Sequence, residues 1–294
     1  MAKADSPFQE LLKTRFLVGS AIPATGAALE GALNSALKSL AGPKASEDAV
    51  RVTMSTPPNI ELIQANLSGT RISLSPSTKA AAKKQVSTDV SSEKDRLPAT
   101  LDKLMVKAHP LIVDGIPAEF DLQVESIPFN WVTDKSGQVW IGANQDDLGE
   151  MSGEFAARIE TTALKQAVRE AVKVGASKQG FALQDLDFTL KQQGQKIMVV
   201  GYAKVKRSFI SAKADAKAMI TYDPKTFVLT IDKIEVSSGN PAIAMVLRMA
   251  EGRIERFQGK KINLNSLLAG TGQQLTAADV TVSDHDVRVT GKFA

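Results

Sequence analysis

The amino-acid sequence predicts an α+β fold with an antiparallel sheet. Three stretches repeat apolar residues at three- and four-residue steps, as helices do, and between them lie groups of segments that alternate apolar and polar residues, as strands do. Strands that follow one another without an intervening helix form hairpins and meanders rather than βαβ units. The chain has 294 residues, which is enough for one large domain. We expect a single domain over residues 23–294, after a poorly structured segment over residues 1–22.

Apolar stripes mark the three predicted helices. The first begins near Pro23 and ends before Gly42, because proline favours helix starts and glycine favours helix ends. Its stripe consists of Leu29, Leu33, Ala36, Leu37 and Leu40. The second covers about 149–175, and the third follows Asn240. The stripe of the second contains Phe155, Ile159, Ala167 and Val174, and that of the third contains Ile243, Val246, Leu247 and Ile254.

Strands are predicted for most of the remaining chain. Alternation marks the segments 50–55, 60–75, 101–115, 118–134, 138–144, 183–237 and 275–293, the last as a terminal hairpin. Turns are expected at 135–137, at Gly194 and at Asp223. A change of phase between Ile231 and Ile234 predicts a bulge. Residues 76–98 are rich in serine, lysine and alanine and contain few large apolar groups. Such a segment buries too little apolar surface to compensate for the entropy it loses on ordering, so we expect a mobile loop.

The composition and motifs argue against several chemistries. The chain has no cysteine, which excludes disulfides, thiolate catalysis and cysteine-ligated zinc. No serine-hydrolase, zinc-protease or phosphate-loop motif is present, and the two histidines, His109 and His285, fit a strand and a polar turn. We therefore expect a non-enzymatic protein without a metal or cofactor. The net charge of +4 is spread along the chain, which suits weak attraction to an anionic lipid surface and argues against a nucleic-acid partner.

One predicted strand has an apolar face of unusually small residues. Within residues 208–223, the alternate positions are Ala212, Ala214, Ala216 and Ala218, followed by Ile220. Alanine is a weak strand former and buries little surface, so this face leaves space that valine or isoleucine would fill. Two interpretations stay open. The space admits a closely packed helix, or it admits a guest such as an acyl chain.

Several segments resemble the actinobacterial LmeA-like phospholipid-binding family. They are the opening helix followed by VRVTMSTPPNIELIQANLSGTRISLS, then LDKLMVKAHPLIVDG, FVLTIDKIEVSSGN, KKINLNSLLAG and the closing LTAADVTVSDHDVRVTGKF. The resemblance covers about residues 23–294, with the loop over 76–98 as a departure. It implies a tubular lipid-binding fold, in which long helices are wrapped by a highly twisted antiparallel sheet around a lipid. It also implies a cell-envelope location in peripheral contact with a membrane, and it carries over no catalytic motif.

The N-terminal sequence does not support an envelope location. Residues 13–28 combine two positive charges with a short apolar run. Gly19 and Pro23 interrupt that run, so we expect no signal peptide in it, and a cytoplasmic location is the alternative.

These observations together predict that the protein binds or transfers a phospholipid or another acyl-chain lipid in an apolar tunnel between helix and sheet. The expected lining is Phe155, Ile159, Ala212, Ala214, Ala216, Ala218, Ile220, Ile243, Val246, Leu247 and Ile254. The alternative is a structural or assembly protein with a filled core that acts through protein–protein surfaces. Trp131 and Trp140 bear on membrane contact, because their segments fit either a membrane-touching tip or a cross-strand aromatic pair.

Overall fold

The protein is mostly β-structure rather than a set of long helices wrapped by a sheet. The computed structural model describes residues 15–41, 48–72, 86–87, 93–144, 151–207, 210–240, 255–269 and 271–294. Of these residues, 61% lie in strands and 16% in helices, arranged as two sheets and two short α-helices. The predicted α+β fold, with long helices wrapped by a highly twisted antiparallel sheet, is therefore wrong. The α-helices, of 16 and 17 residues, are about 25 Å long, whereas the two longest strands, of 21 and 19 residues, extend for about 60 Å or more.

The secondary-structure elements are numbered in chain order. The strands are β1 Arg15–Gly19, β2 Val50–Met54, β3 Ile60–Asn66, β4 Arg71–Ile72, β5 Val86–Ser87, β6 Glu93–Val113, β7 Ile116–Asp134, β8 Val139–Ala143, β9 Ser152–Glu160, β10 Ala182–Gln193, β11 Lys196–Arg207, β12 Ile210–Asp223, β13 Val228–Ser237, β14 Lys261–Asn263, β15 Leu275–Val282 and β16 Asp286–Phe293. The helices are α1 Gly26–Ala41, α2 Thr161–Ser177 and a 3₁₀ helix over Leu264–Leu268.

The chain divides into two compact units. Unit 1 consists of Met1–Ala157, Asn265–Ala277 and Thr290–Ala294, and unit 2 consists of Arg158–Leu264 and Ala278–Val289. Strands β9, β15 and β16 contribute residues to both. The division does not test whether the two units fold separately, so the single domain predicted over residues 23–294 stays a prediction.

Unit 1 has a filled core. The strand order in its sheet is β15-β16-β9-β7-β6-β3-β2, with β8 paired to β7. Most pairs are antiparallel, as predicted, but β3 and β4 run parallel to β6. The core contains Leu29 of α1 and Trp131 of β7, which are 0% and 1% exposed. The indole of Trp131 packs edge-on against Phe129, with ring centroids 5.3 Å apart, and donates a hydrogen bond to the Pro58 carbonyl at 2.8 Å.

Helix α1 covers the edge strand of this sheet. The Asn34 amide accepts a hydrogen bond from Val50 N at 2.9 Å and donates one to Val50 O at 3.1 Å, and Glu30 accepts one from Val52 N at 2.8 Å. These side chains replace the bonds that a further strand would make, and so they protect β2 from pairing with another chain. The first predicted helix is confirmed. The part of its predicted stripe that packs in the core is Leu29, Leu33, Ala36 and Leu37.

Unit 2 contains α2 and a five-stranded antiparallel meander. The strand order follows the chain, β10-β11-β12-β13-β14. The predicted turns at Gly194 and Asp223 connect these strands. The predicted bulge is confirmed at Asp232, where the register between β12 and β13 shifts by one residue. The predicted terminal hairpin is confirmed as β15 and β16.

Three local predictions are corrected. Residues 152–160, predicted to begin the second helix, form β9, so Phe155 and Ile159 lie on a strand. A spacing of four residues keeps two side chains on one face of a helix and equally on one face of a strand, which explains the error. Residues 93–98 of the predicted mobile loop 76–98 belong to β6. Residues 15–19 of the segment predicted to be poorly structured form β1.

Only the last part of the third predicted helix falls on residues that the structure describes. Residues 241–254 lie outside the described residues, and 255–259 form turns. Among the residues that the structure describes, no helix has both the length and the apolar character needed to cross a membrane.

The two tryptophans do not form a cross-strand pair. The register of β7 and β8 places Trp131 opposite Ile141 and Trp140 opposite Val132. The two indoles therefore project from opposite faces of the hairpin. Trp131 is a core residue, not part of a membrane-touching tip, and the Trp140 indole donates a hydrogen bond to Asp134 Oδ2 at 2.9 Å.

Candidate functional site

An apolar cavity of about 600 Å³ lies within unit 2. Its floor is one face of the five-stranded sheet, and its sides are formed by α2 and by the unit 2 residues of β15 and β16. Nearly all of its lining residues are aliphatic or aromatic. A cavity of this volume and character is typical of sites that bind small apolar molecules.

The floor is concave because side-chain size changes across the sheet. Phe188 of β10 lies opposite Gly201 of β11. Gly201 lies opposite Ala216 of β12, and Ala216 lies opposite Val236 of β13. In this row, small residues therefore occupy β11 and β12, and large residues on β10 and β13 flank them. The small residues that line the cavity are Gly201, Ala203, Ala214, Ala216 and Ala218. We call these five residues the alanine trough.

Gly201 is required by the close approach of β10. A Cβ atom at this position would lie 2.5 Å from Phe188 Cβ and 2.6 Å from Asp187 O. Both distances are far below van der Waals contact, and neither neighbour is the end of a flexible side chain. Glycine inside a strand often marks such a close approach, and here it forms part of the trough.

The sides of the cavity come from residues that were not predicted to line it. Helix α2 contributes Leu164, Val168 and Val172 at four-residue spacing. This stripe is displaced by one residue from the predicted one, and Val174 of the predicted stripe is 53% exposed. The hairpin contributes Val280 and Val282 from β15 and Val287 and Val289 from β16.

Two side chains hold β15 to the floor within unit 2. Gln192 of β10 donates a hydrogen bond to Val280 O at 3.0 Å and accepts one from Val282 N at 2.6 Å. Tyr222, which is buried, donates a hydrogen bond from its hydroxyl to Ala278 O at 2.7 Å. Burial raises the pKa of the Tyr222 hydroxyl, so this donor keeps its proton in mildly alkaline solution. These bonds fix the separation between β15, which carries Val280 and Val282, and the floor.

Two carboxylates beside the cavity, Asp185 and Asp187, are paired with neighbouring side chains. Lys165 Nζ lies 2.6 Å from Asp187 Oδ1, and this hydrogen bond is the main cause that lowers the pKa of Asp187. Tyr202 donates a hydrogen bond to Asp185 Oδ2 at 2.8 Å, which raises the pKa of Tyr202. Among the described residues, no group of three or more His, Asp or Glu side chains could hold a metal ion. The arrangement therefore suits the binding of an apolar molecule better than proton transfer.

The structure brings part of the predicted site together. Ala214, Ala216, Ala218 and Ile220 line the cavity. Ala212 is buried but lies outside the lining, and Phe155 and Ile159 lie on β9, also outside it. The predicted residues from the third helix lie outside the described residues: Ile243, Val246, Leu247 and Ile254.

No protein-family model, no curated protein and no solved structure matches this chain. The resemblance to the LmeA-like family therefore stays a prediction. The fold that this resemblance implies is the one corrected above. The function proposed below therefore rests on the geometry of the cavity.

Proposed function

We propose that unit 2 binds the acyl chain of a phospholipid or another lipid without catalysing a reaction on it. The alanine trough, beneath a cavity of about 600 Å³ with apolar walls, carries this proposal. A sheet that served only as a packing surface would be more stable with larger residues in place of the four alanines of the trough, because each additional buried methylene stabilises by about 0.8 kcal/mol. An acyl chain in the trough would supply the methylenes that the alanines lack.

The energetics favour binding of a long chain. Burying about sixteen methylenes is worth about 13 kcal/mol. Association costs at least about 4 kcal/mol in lost translational and rotational freedom. The remaining stabilisation of at most about 9 kcal/mol corresponds to a dissociation constant no tighter than about the micromolar range. A chain of about half that length would bind only in the millimolar range or weaker.

The positions of the histidines support binding without catalysis. His109 belongs to unit 1, where its Nε2 lies 2.8 Å from Asp121 Oδ2. His285 is exposed in the turn between β15 and β16. Neither lines the cavity, and the lining is too apolar to activate water or a nucleophile.

Identification of co-purified lipid is the direct test. The full chain would be purified from a membrane-containing host, weighed by native mass spectrometry and extracted with solvent. We expect a stoichiometric fatty-acid or phospholipid adduct that is lost on denaturation. A lipid-free mass, together with no uptake from added phosphatidylcholine liposomes, would contradict the proposal and favour a protein that acts through protein–protein surfaces.

Substitution in the trough locates the binding site. Ala216→Trp would occupy the space of several methylenes, so we expect the uptake of a pyrene-labelled fatty acid to weaken about tenfold or more. The free energy of unfolding should change by less than about 1 kcal/mol, because the cavity has room for the indole. The matched control is Ala171→Trp, at an exposed position of α2 that does not line the cavity. Unchanged uptake by Ala216→Trp, or severe unfolding, would contradict the proposal.

A further inference from the structure

A turn beside the cavity combines exposed apolar and basic residues. We define the basic turn as residues 255–262, which lead into and include the first residues of β14. Phe257 is 52% exposed and Ile262 is 47% exposed. Arg256, Lys260 and Lys261 are exposed in the same turn, in which Glu255 is the one acidic residue. Exposed aromatic and aliphatic groups among cations are typical of segments that lie at a membrane interface.

The basic turn is held in a defined shape. Gly259 N donates a hydrogen bond to Ile231 O at 2.7 Å, and Ile231 N donates one to Lys260 O at 3.0 Å. Lys260 Nζ lies 5.7 Å from the ring centroid of Phe257, within the range of a cation–π contact. The aromatic ring and the ammonium group are therefore presented together on a turn anchored to β13.

The basic turn borders the apolar cavity. Ile231, to which the turn is anchored, lines the cavity. Ile262 also lines it and lies opposite Leu229, a further lining residue. Since Ile262 is both a lining residue and half exposed, it marks a place where the cavity meets solvent.

We propose that the basic turn docks unit 2 on an anionic phospholipid bilayer, so that an acyl chain enters the cavity past Ile262. This inference rests on the proposed function of the cavity. Phe257 and Ile262 would lie at the boundary between headgroups and acyl chains, and the basic side chains would meet lipid phosphates. Each basic residue close to an anionic surface contributes about fivefold to the binding constant, so the three together suit reversible docking.

Cosedimentation with vesicles tests the electrostatic part. Lys260→Gln with Lys261→Gln should weaken binding to phosphatidylcholine vesicles that contain phosphatidylglycerol by about 25-fold, which is two factors of about five. The matched control is Lys204→Gln with Lys206→Gln, a double variant with the same charge change at the opposite end of the sheet. We expect the control to bind within about twofold of the unmodified protein, and pure phosphatidylcholine vesicles to bind weakly in every case.

Phe257→Ser tests the apolar part. We expect about tenfold weaker vesicle binding, because half-burial of a phenyl ring is lost. The control is Val200→Ser, at a valine that is 43% exposed. Val200 lies between the lining residues Val199 and Gly201 in β11, so its side chain projects from the other face of the sheet. Equal losses in a variant and its control would overturn the proposal. Concentration-dependent self-association that Phe257→Ser abolishes, without vesicle binding, would assign the turn to a second copy of the chain and also overturn it.

A parallel measurement separates docking from the function of the cavity. The uptake of monomeric palmitate from solution should be the same in the unmodified protein and in the double lysine variant, whereas extraction of a pyrene-labelled phospholipid from anionic vesicles should fall in the variant. If the protein binds palmitate and the double lysine variant binds vesicles as well as the unmodified protein does, the docking proposal is overturned and the proposed function of the cavity is not. Charge-dependent vesicle binding without palmitate uptake would overturn the cavity's function and leave the docking surface standing.

Discussion

Units 1 and 2 place a helix near a sheet in similar ways, yet their interiors differ. In unit 1, Leu29 of α1 and Ile60 of β3 are both 0% exposed, and Trp131 fills the space beside them. In unit 2, the residues at the centre of the sheet are Gly201 and Ala216, and a cavity remains above them. Alternation along a strand decides which face is apolar. The size of the residues on the inner strands decides whether that face is filled.

This difference predicts different responses to the enlargement of a side chain. A filled interior loses stability when side chains are truncated and also when they are enlarged. An interior with a cavity tolerates enlargement at positions whose side chains border open space, such as Ala216, but not at Gly201, where a Cβ atom would meet Phe188. The two units therefore serve as internal controls for each other.

The largest expected effect is truncation at the centre of unit 1. Trp131→Ala should lower the free energy of unfolding by about 3–5 kcal/mol, because it leaves a cavity and removes the donor to the Pro58 carbonyl. Urea denaturation measures the loss. The control is Val174→Ala in unit 2, at a side chain that is 53% exposed, which should change stability by less than about 0.5 kcal/mol. A loss below about 1 kcal/mol at Trp131 would show that unit 1 is not tightly filled.

Two glycine substitutions in unit 2 should have opposite signs. Gly201→Ala should destabilise by about 1–3 kcal/mol, since the new Cβ meets Phe188 Cβ at 2.5 Å. Gly175→Ala, in α2, meets nothing within 4 Å and should stabilise by about 0.5–1 kcal/mol through helix propensity. Thermal unfolding of both variants gives the comparison. If Gly201→Ala were neutral, the close approach of β10 that shapes the trough would be in doubt.

The sequence predicted the local features of unit 2 well. The period of two in β12 identified the face that carries Ala214, Ala216 and Ala218, because alternation alone determines it. The phase change before Ile234 identified the bulge at Asp232 for the same reason. Such features depend on neighbouring residues in the chain, so a sequence read without relatives is sufficient for them.

Other features depend on contacts that are distant in the chain. The spacing of Phe155 and Ile159 fits a helix and a strand equally, and only pairing with β7 and β16 decides for the strand. The valines of β15 and β16 were recognised as a hairpin, but no local signal shows that they face β10. A signal was available for α2, because Leu164, Val168 and Val172 are larger than Ala167, which was predicted to belong to its apolar stripe.

Enlarging an alanine in each unit compares the two interiors directly. Ala99→Leu in the core of unit 1 should destabilise by about 1–3 kcal/mol, since Ala99 is 8% exposed and surrounded by core residues. Ala216→Leu should not lower the free energy of unfolding, because the added carbons enter the cavity, and it should reduce fatty-acid uptake. The same measurements, urea denaturation and fluorescence titration, apply to both variants. Equal destabilisation would mean that the trough is a packed surface, and the distinction between the two interiors would fail.

The smallest expected effect concerns the free energy of unfolding at acidic pH. A buried, hydrogen-bonded carboxylate should contribute more to it than a partly exposed one. Asp134 of unit 1 is buried and accepts hydrogen bonds from Ser136, Gln138 and Trp140. These hydrogen bonds lower the pKa of Asp134 from 3.8 to about 2. The bond from the Ser136 hydroxyl has the largest effect, and the bond from the Trp140 indole has the next largest. A carboxyl whose pKa is lower in the folded protein stabilises it above the unfolded pKa, and this contribution is lost as the pH falls through the folded pKa.

Asp134→Asn should therefore destabilise the protein by a constant amount at neutral pH, and the difference should shrink as the pH falls from about 4 to about 2. Unfolding by urea at a series of pH values, with Trp140 as a local reporter, measures it. Asp187→Asn in unit 2 is the control, because the Lys165–Asp187 pair is partly exposed and its smaller contribution should weaken further in salt. A difference at Asp134 that stayed constant down to about pH 2 would show that its hydrogen bonds do not favour the charged carboxylate, which would remove this contrast between the two units.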